Sequence, residues 1–385
     1  MTGPPTTLVT GATGTLGPPV LARLLRRGSV VVLLRSGAAG VERRFDDLIA
    51  EVRREDPTAP VDRLRVVTGD LARRGAGLAL EDRRRLARDV THVLHLAADT
   101  RFSLPLPEAR RANVDTTIEL LRVVESFDRL QGFGFASTLY VAGTRTGEIR
   151  EEELADTTFV NTYEHAKFEA ERALRARMPE LPVAVFRVPT LLGSARTGEV
   201  RKPTAIHHSF RLYHRGLVPM IPGRPGQPVE LLDVEHAAEA VDRLLMERFA
   251  PRRTYHVTAS SSETLSLGEL IQEAHRGFGE VDPAWTRRGI EPPPVVRART
   301  YALFERTVEE AADAAMAAVV HTMSSFLPQL LYPKRFARTN TEAALPDWHP
   351  PSVRAYLPRV LAYCLGTQWG RQQQGSRTEH ATTAS

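Results

Sequence analysis

The chain has 385 residues, 51 Lys plus Arg against 46 Asp plus Glu, a net charge of +5 and 42% hydrophobic residues. Such a composition can bury a large core and excludes a chain that stays disordered for want of apolar side chains. One cysteine, Cys364, excludes an internal disulfide framework. No uncharged apolar run reaches the roughly 18 residues of a membrane span, and nothing resembles a secretory signal, so no transmembrane segment and a cytoplasmic location are expected. The excess of base is carried by Arg, crowded before residue 112, without any nucleic-acid-binding motif, so no nucleic-acid partner is expected.

In chain order, the apolar Leu8-Val9 leads into Thr10-Gly11-Ala12-Thr13-Gly14-Thr15-Leu16-Gly17, and residues 20–25 follow with helical apolar spacing. Strand, glycine turn and helix form the context of a dinucleotide-phosphate loop. Glycine allows a tight turn and close approach to a pyrophosphate. Pro18 and Pro19 have no N–H, so phosphate donors are expected from Thr13 to Leu16. An ordinary strand-to-helix turn would read similarly, and a second signal is needed. The next apolar run, residues 30–34, ends in Arg35-Ser36 with Arg43 and Arg44 beyond. NAD-preferring folds usually place an acid near that strand end for the ribose hydroxyls. A guanidinium there suits a 2′-phosphate and points to NADPH.

The second signal is Tyr163-x-x-x-Lys167, in a chain with eight tyrosines whose only lysines are Lys167, Lys202 and Lys334. The spacing puts both side chains on one helical face. There an ammonium can lower the phenol pKa and make the tyrosine a proton donor. Residues 6–195 alternate β-branched runs with amphipathic helices, which predicts an α/β fold with a doubly wound parallel sheet covered on both faces. Residues 196–230 read as loops and short helices. Residues 229–241 return as strand and helix, residues 255–258 as a short strand, and Ser266 caps a helix starting near Leu267. Pro292-Pro293-Pro294 reads as a linker, and residues 303–331 as one Ala-rich helix, either core packing or a contact for an acyl chain. The polar residues beyond 366 are expected to be disordered. Glu151-Glu152-Glu153 reads as a solvated loop. His207-His208, His214 and His256 lack metal-ligand spacing and read as structural or surface side chains, so no metal is expected. Cys364, between Tyr363 and Leu365, reads as a packed small hydrophobe.

The glycine loop and Tyr163/Lys167, in this order, resemble the extended short-chain dehydrogenase/reductase superfamily over roughly residues 6–260. The resemblance implies a Rossmann-type domain over residues 1–195, re-entered by about 229–260, a smaller substrate region over 196–366, and a tail from 367 to 385. It assigns cofactor contacts to Gly11, Thr13, Gly14, Thr15, Leu16 and Gly17. Further contacts fall to Arg35, to Asp70 and Leu71 near the adenine, to Ala97 and Ala98, to Lys167 and to Pro189 of Arg187-Val188-Pro189. Asn113 matches a structural asparagine. Phe133-Gly134-Phe135-Ala136-Ser137-Thr138 resembles the strand ending in the catalytic Ser/Thr, with Thr138 in that slot and Ser137 as the fallback.

Ala97-Ala98-Asp99-Thr100-Arg101-Phe102, Asn113-Val114-Asp115-Thr116-Thr117, Ser137-Thr138-Leu139-Tyr140-Val141 and Asn161-Thr162-Tyr163 look like fatty acyl-CoA reductases and carrier-protein thioester-reductase domains. That likeness implies catalysis by Thr138, Tyr163 and Lys167. An acyl thioester, on CoA or on an acyl or peptidyl carrier protein in trans, would be reduced by NADPH to aldehyde and possibly alcohol. Two alternatives stand beside it: an NADP-dependent ketone, aldehyde or hydroxysteroid-like alcohol dehydrogenase, and a non-catalytic NADP-binding sensor or scaffold.

Overall fold

A computed structural model describes residues 3–36, 40–324 and 326–370. Seven strands form one parallel sheet: β1 (Thr6–Thr10), β2 (Ser29–Leu34), β3 (Leu64–Thr68), β4 (His92–His95), β5 (Gly132–Thr138), β6 (Val183–Val188) and β7 (Thr254–His256). Their order is β7-β6-β5-β4-β1-β2-β3, with every neighbouring pair parallel. The runs are apolar on both faces because helices cover both. The Gly17–Arg27 and Val234–Met246 helices pack one apolar cluster against the sheet through residues such as Leu21, Leu25, Val241 and Leu245. Leu120, Val124, Ala170 and Leu174 fill the other side from the Thr116–Val124 and Thr162–Arg175 helices.

The strand order reverses between β1 and β4. Loops leaving these two strands diverge at their carboxyl ends and open the crevice where doubly wound sheets hold ligands. At that point Gly11 has φ +73°, and a Cβ on it would lie 2.4 Å from the Ala97 amide nitrogen. The loops after β1 and β4 can meet there only because Gly11 has no side chain.

A second apolar cluster runs from Leu192 to Cys364 and includes Phe210, Leu270, Trp285, Leu327 and Leu361. Short parallel pairs tie it to the sheet domain: Thr190–Gly193 with Leu231–Asp233, and Lys334–Phe336 with Gly147–Ile149. Three sequence expectations are corrected here. The single helix over 303–331 is Ala298–Glu310, then Ala314–Met323, then a 3-10 turn Leu327–Leu331. Asp313 starts the second piece by accepting from the amides of Ala315 and Met316 at 3.0 Å each, and local side-chain capping of this kind wins over continuing the first. Glu151 is no solvated residue: it accepts from His256 N (2.7 Å) and from Thr341 Oγ1 (2.6 Å) and N (3.2 Å). Burial raises its carboxyl pKa against these hydrogen bonds. Of the tail, Thr367–Gly370 form turns, with Trp369 packed on the second cluster; residues 371–385 lie outside the described residues.

Candidate active site

The glycine loop is built to present amides. Gly14 N donates to Gly11 O (2.9 Å) and Gly17 N to Gly14 O (3.1 Å), which closes the turn. Among the described residues, the amides of Thr13, Thr15 and Leu16 have no protein acceptor. A Cβ on Gly17 would sit 1.8 Å from Ala12 O, so the loop can press against the helix start only with glycine there. The helix begins with Pro18 and Pro19 and has no acid in its first turn and no capping side chain. Its positive end is left for an anion. Lys202, which the sequence did not single out, donates from Nζ to Thr13 O at 3.0 Å and brings a cation to the same loop.

The other expected cofactor contacts lie along the same carboxyl edge. Arg35 is exposed just past β2, and its carbonyl accepts from Arg44 Nη1 at 2.6 Å. No ion pair holds the Arg35 guanidinium among the described residues. Asp70 follows β3 and binds the Ala72 amide at 3.0 Å; Leu71 beside it is buried. Ala97 and Ala98 follow β4. Asn113 exchanges two hydrogen bonds with the Asp99 backbone, N to Oδ1 at 2.9 Å and Nδ2 to O at 3.1 Å, and so holds that loop in place. Pro189 stands after β6, on the wall of a cavity shared with Tyr140 and Thr190.

Alternation along β5 separates Ser137 from Thr138. Ser137 Oγ donates to the buried Glu171 Oε2 at 2.9 Å, beneath the site. Thr138 Oγ1 accepts from the Tyr140 amide at 3.3 Å, and its hydroxyl acts on the Tyr163 phenol, opposing the rise that burial causes. Ser137 is thereby tied to Glu171, and Thr138 is the one of the two that acts on Tyr163. Asn161 caps the Thr162–Arg175 helix through Oδ1 to Glu164 N (3.0 Å), which fixes Tyr163 on its first turn. The Tyr163 ring stacks on Phe102 with centroids 5.5 Å apart. Lys167 shares the helix face but donates to Ala136 O at 2.8 Å and lies 4.2 Å from the Phe135 centroid.

Electrostatics corrects one expectation. The Tyr163 phenol is not lowered: burial pushes it up to about 12, with the Thr138 hydrogen bond opposing. Lys167 is itself pushed down to about 7 by burial, with the Glu171 carboxylate opposing. Without ligand, the ammonium serves β5 rather than the phenol. At neutral pH Tyr163 therefore stays protonated, a donor placed beside Thr138. Burial raises the Cys364 thiol to about 12 within the second apolar cluster, which leaves it without thiolate character.

The NAD-binding family model described as "male sterility protein" matches residues 9–241. The chain belongs to this family. Its sequence is 29% identical over 267 residues to the non-reducing polyketide synthase pkiA of Emericella nidulans, covering 65% of this chain and 10% of that one. It is 27% identical over 214 residues to the fatty acyl-CoA reductase wat of Drosophila melanogaster, covering 46% of this chain and 41% of that one. The chain thus spans only part of these relatives. In structure it is similar to the terminal R domain from the myxalamid PKS-NRPS biosynthetic pathway, with a TM-score of 0.77, 22% identity and coverage of 96% and 92%. It is also similar to the reductase domain of a nonribosomal peptide synthetase from Mycobacterium tuberculosis, with a TM-score of 0.67, 22% identity and coverage of 95% and 92%. The chain is an oxidoreductase of the short-chain dehydrogenase/reductase type with an extended Rossmann-type fold. Its site fits the nicotinamide dinucleotide of its family: unpaired amides at Thr13, Thr15 and Leu16 and glycines where a Cβ would collide.

Tyr140, Thr190, Glu164, Gln329 and Lys334 were missed by sequence reading. Tyr140 donates or accepts across 2.7 Å with Thr190, and Gln329 reaches the Thr162–Arg175 helix through Glu164. Tyr140, two residues past Thr138, carried a positional clue. Glu164 lies inside the Tyr163-x-x-x-Lys167 motif, and Thr190, Gln329 and Lys334 carried no such clue.

Proposed function

We propose that this protein uses NADPH to reduce an acyl thioester, on CoA or on a carrier protein in trans, to an aldehyde and a free thiol. The observation that carries the reading is the buried Tyr163 phenol, kept protonated beside Thr138, whose chain neighbours Leu139, Tyr140 and Glu164 line the cavity shared with Pro189 and Thr190. The bound nicotinamide would supply a hydride to the thioester carbonyl carbon. Tyr163 and Thr138 hydrogen-bond the oxygen as it gains charge, and Tyr163 can give it a proton. Collapse of the resulting hemithioacetal breaks the C–S bond and releases the thiol. Lys167, on the same helix as Tyr163, would hold the ribose of the cofactor. No enzyme thiol takes part, in keeping with the buried, protonated Cys364. Arg35, exposed and held by no ion pair among the described residues, supports the choice of NADPH. A second hydride transfer would give the alcohol.

The test is NADPH oxidation with acyl-CoA and carrier-bound acyl substrates, followed by mass spectrometry of products and thiol titration. One thiol per aldehyde is expected. Reduction of ketones or sterols without thioester turnover would replace this reading with a simple alcohol dehydrogenase, and tight NADPH binding without oxidation by any carbonyl would leave a sensor.

A further inference from the structure

Two cavities share a wall. The first is bordered by Tyr140, Glu164, Pro189, Thr190, Gln329 and Lys334. The second is lined by apolar side chains such as Phe210, Leu270, Ile271, Met323 and Leu327. Phe326 and Leu330 belong to both linings. The second cavity offers no free polar group: Ser209 Oγ donates to Ala205 O (3.1 Å), and the Tyr213 hydroxyl pairs with His275 (2.9 Å).

The first cavity mixes polar with apolar side chains, and its polar groups are mostly paired. The Tyr140 and Thr190 hydroxyls pair with each other. Lys334 Nζ donates to Tyr332 O (2.9 Å), and Glu230 accepts from Thr258 Oγ1 (2.5 Å). Glu164 accepts from Val160 N (3.1 Å), Asn161 Nδ2 (3.1 Å) and Gln329 Nε2 (2.7 Å). This last bond turns the Gln329 amide nitrogen toward the carboxylate. Gln329 Oε1 is then the one fully buried side-chain atom of the lining without a partner among the described residues. A buried carbonyl oxygen normally has a donor. This one stands in the first cavity's wall, one residue from the shared Leu330 and tied through Glu164 to the helix of Tyr163.

We propose that the acyl group is amphipathic: it carries an N–H or O–H that Gln329 Oε1 accepts, and an apolar portion that passes Phe326 and Leu330 into the second cavity. This names the substrate class for the thioester reading and rests on it. A plain saturated chain would fill the second cavity but leave Gln329 Oε1 unpaired, and a short polar acyl group would do the reverse.

Pantetheine thioesters of decanoic acid, 3-hydroxydecanoic acid and N-octanoylglycine share the thiol end common to CoA and carrier proteins, and they distinguish a hydroxyl from an amide donor. With NADPH, at least one donor-bearing thioester should exceed the decanoyl one about tenfold in kcat/KM, the scale of one buried hydrogen bond. Gln329→Met should erase that ratio while leaving NADPH affinity close to that of the unaltered protein. Shortening decanoyl to butanoyl should lower kcat/KM by up to about fourfold per methylene removed from the second cavity. Ser209→Trp, which fills that cavity from its half-exposed edge, should abolish this dependence. Equal rates for all three thioesters, a Gln329→Met loss that falls equally on all of them, or indifference to chain length would overturn the inference while leaving thioester reduction intact. No thiol release from any of them would overturn the underlying reading instead.

Discussion

Lys167 Nζ donates to the carbonyl of Ala136 at 2.8 Å, so the four-residue spacing to Tyr163 ends in a contact with β5. Burial lowers the Lys167 pKa from 10.5 to about 7. The unfolded chain therefore holds the extra proton between about pH 7 and 10.5 while the folded chain does not. Stability rises with pH wherever the unfolded state binds more protons. In the cofactor-free protein, the contribution of Lys167 should become more favourable as pH climbs through that window. Melting temperatures of the unaltered protein and of Lys167→Met, taken from pH 7 to 10, should show the difference between them moving in favour of the unaltered protein. Parallel curves would remove Lys167 as the titrating group. The same variant should bind NADPH more weakly.

Tyr163→Phe keeps the ring stacked on Phe102 and removes only the hydroxyl that Thr138 bonds. Folding and NADPH affinity should survive, and turnover should fall roughly 10²–10⁴-fold, the usual cost of a positioned acid. Thr138→Val, which leaves Tyr163 but removes its partner, should cost about 10²-fold in turnover. Single-turnover NADPH oxidation measures both. Near-normal turnover in Tyr163→Phe would take Tyr163 out of the mechanism.

The parts of this molecule that could be read in its sequence are those where a local rule and the tertiary structure agree. The glycine loop, the apolar strand runs and the Ser266 cap, whose Glu269 completes a capping box, each follow from a few neighbouring residues. The choice of Thr138 over Ser137 follows from strand alternation once one face is assigned. Glu151 could not be read this way: its partners, His256, Asn340 and Thr341, lie about a hundred residues or more away. Gln329 could not either, since its role comes from a turn that meets Glu164 across 165 positions. The Lys167 ammonium shows a different limit. Spacing put it on the face of Tyr163, but the side chain is long enough to find Ala136 O, and burial, which no spacing reveals, set both pKa values.

Arg35 offers an exposed guanidinium at the end of β2, where a ribose 2′ substituent is expected. The unaltered protein should prefer NADPH, and Arg35→Asp should weaken NADPH binding far more than NADH binding, because attraction to a phosphate becomes repulsion. Raising salt should narrow the gap between the two cofactors, since the site is exposed and screened. Titration by intrinsic fluorescence gives both constants, and equal affinity of the unaltered protein for NADPH and NADH would discard the assignment.

Gly17→Ala places a methyl group 1.8 Å from the Ala12 carbonyl oxygen, a backbone atom with no room to retreat. The turn must open, and the amides of Thr13, Thr15 and Leu16 lose their common aim. Cofactor affinity should drop by at least about tenfold, with a lower melting temperature, since steric conflict with a backbone atom is among the larger single-residue effects. Gly226→Ala, where nothing lies within 4 Å of the added Cβ, is the control and should leave both unchanged. If Gly17→Ala binds NADPH normally, the loop does not carry the pyrophosphate.

Cys364 decides between two ways of reducing a thioester. A cysteine-dependent enzyme would first take the acyl group onto sulfur, and the attacking thiolate must exist near neutral pH. Here burial pushes the thiol up to about 12 in the Leu357–Gly366 helix, against the second apolar cluster. Cys364→Ser should therefore keep kcat and the ratio of one thiol released per aldehyde. It should lower the melting temperature by a few degrees, because a hydroxyl is less welcome than a thiol among apolar side chains. Alkylating reagents should leave the folded protein's rate unchanged for the same reason. A rate collapse in Cys364→Ser without loss of fold, or an acylated Cys364 trapped by mass spectrometry, would replace direct hydride transfer to the thioester with a covalent route.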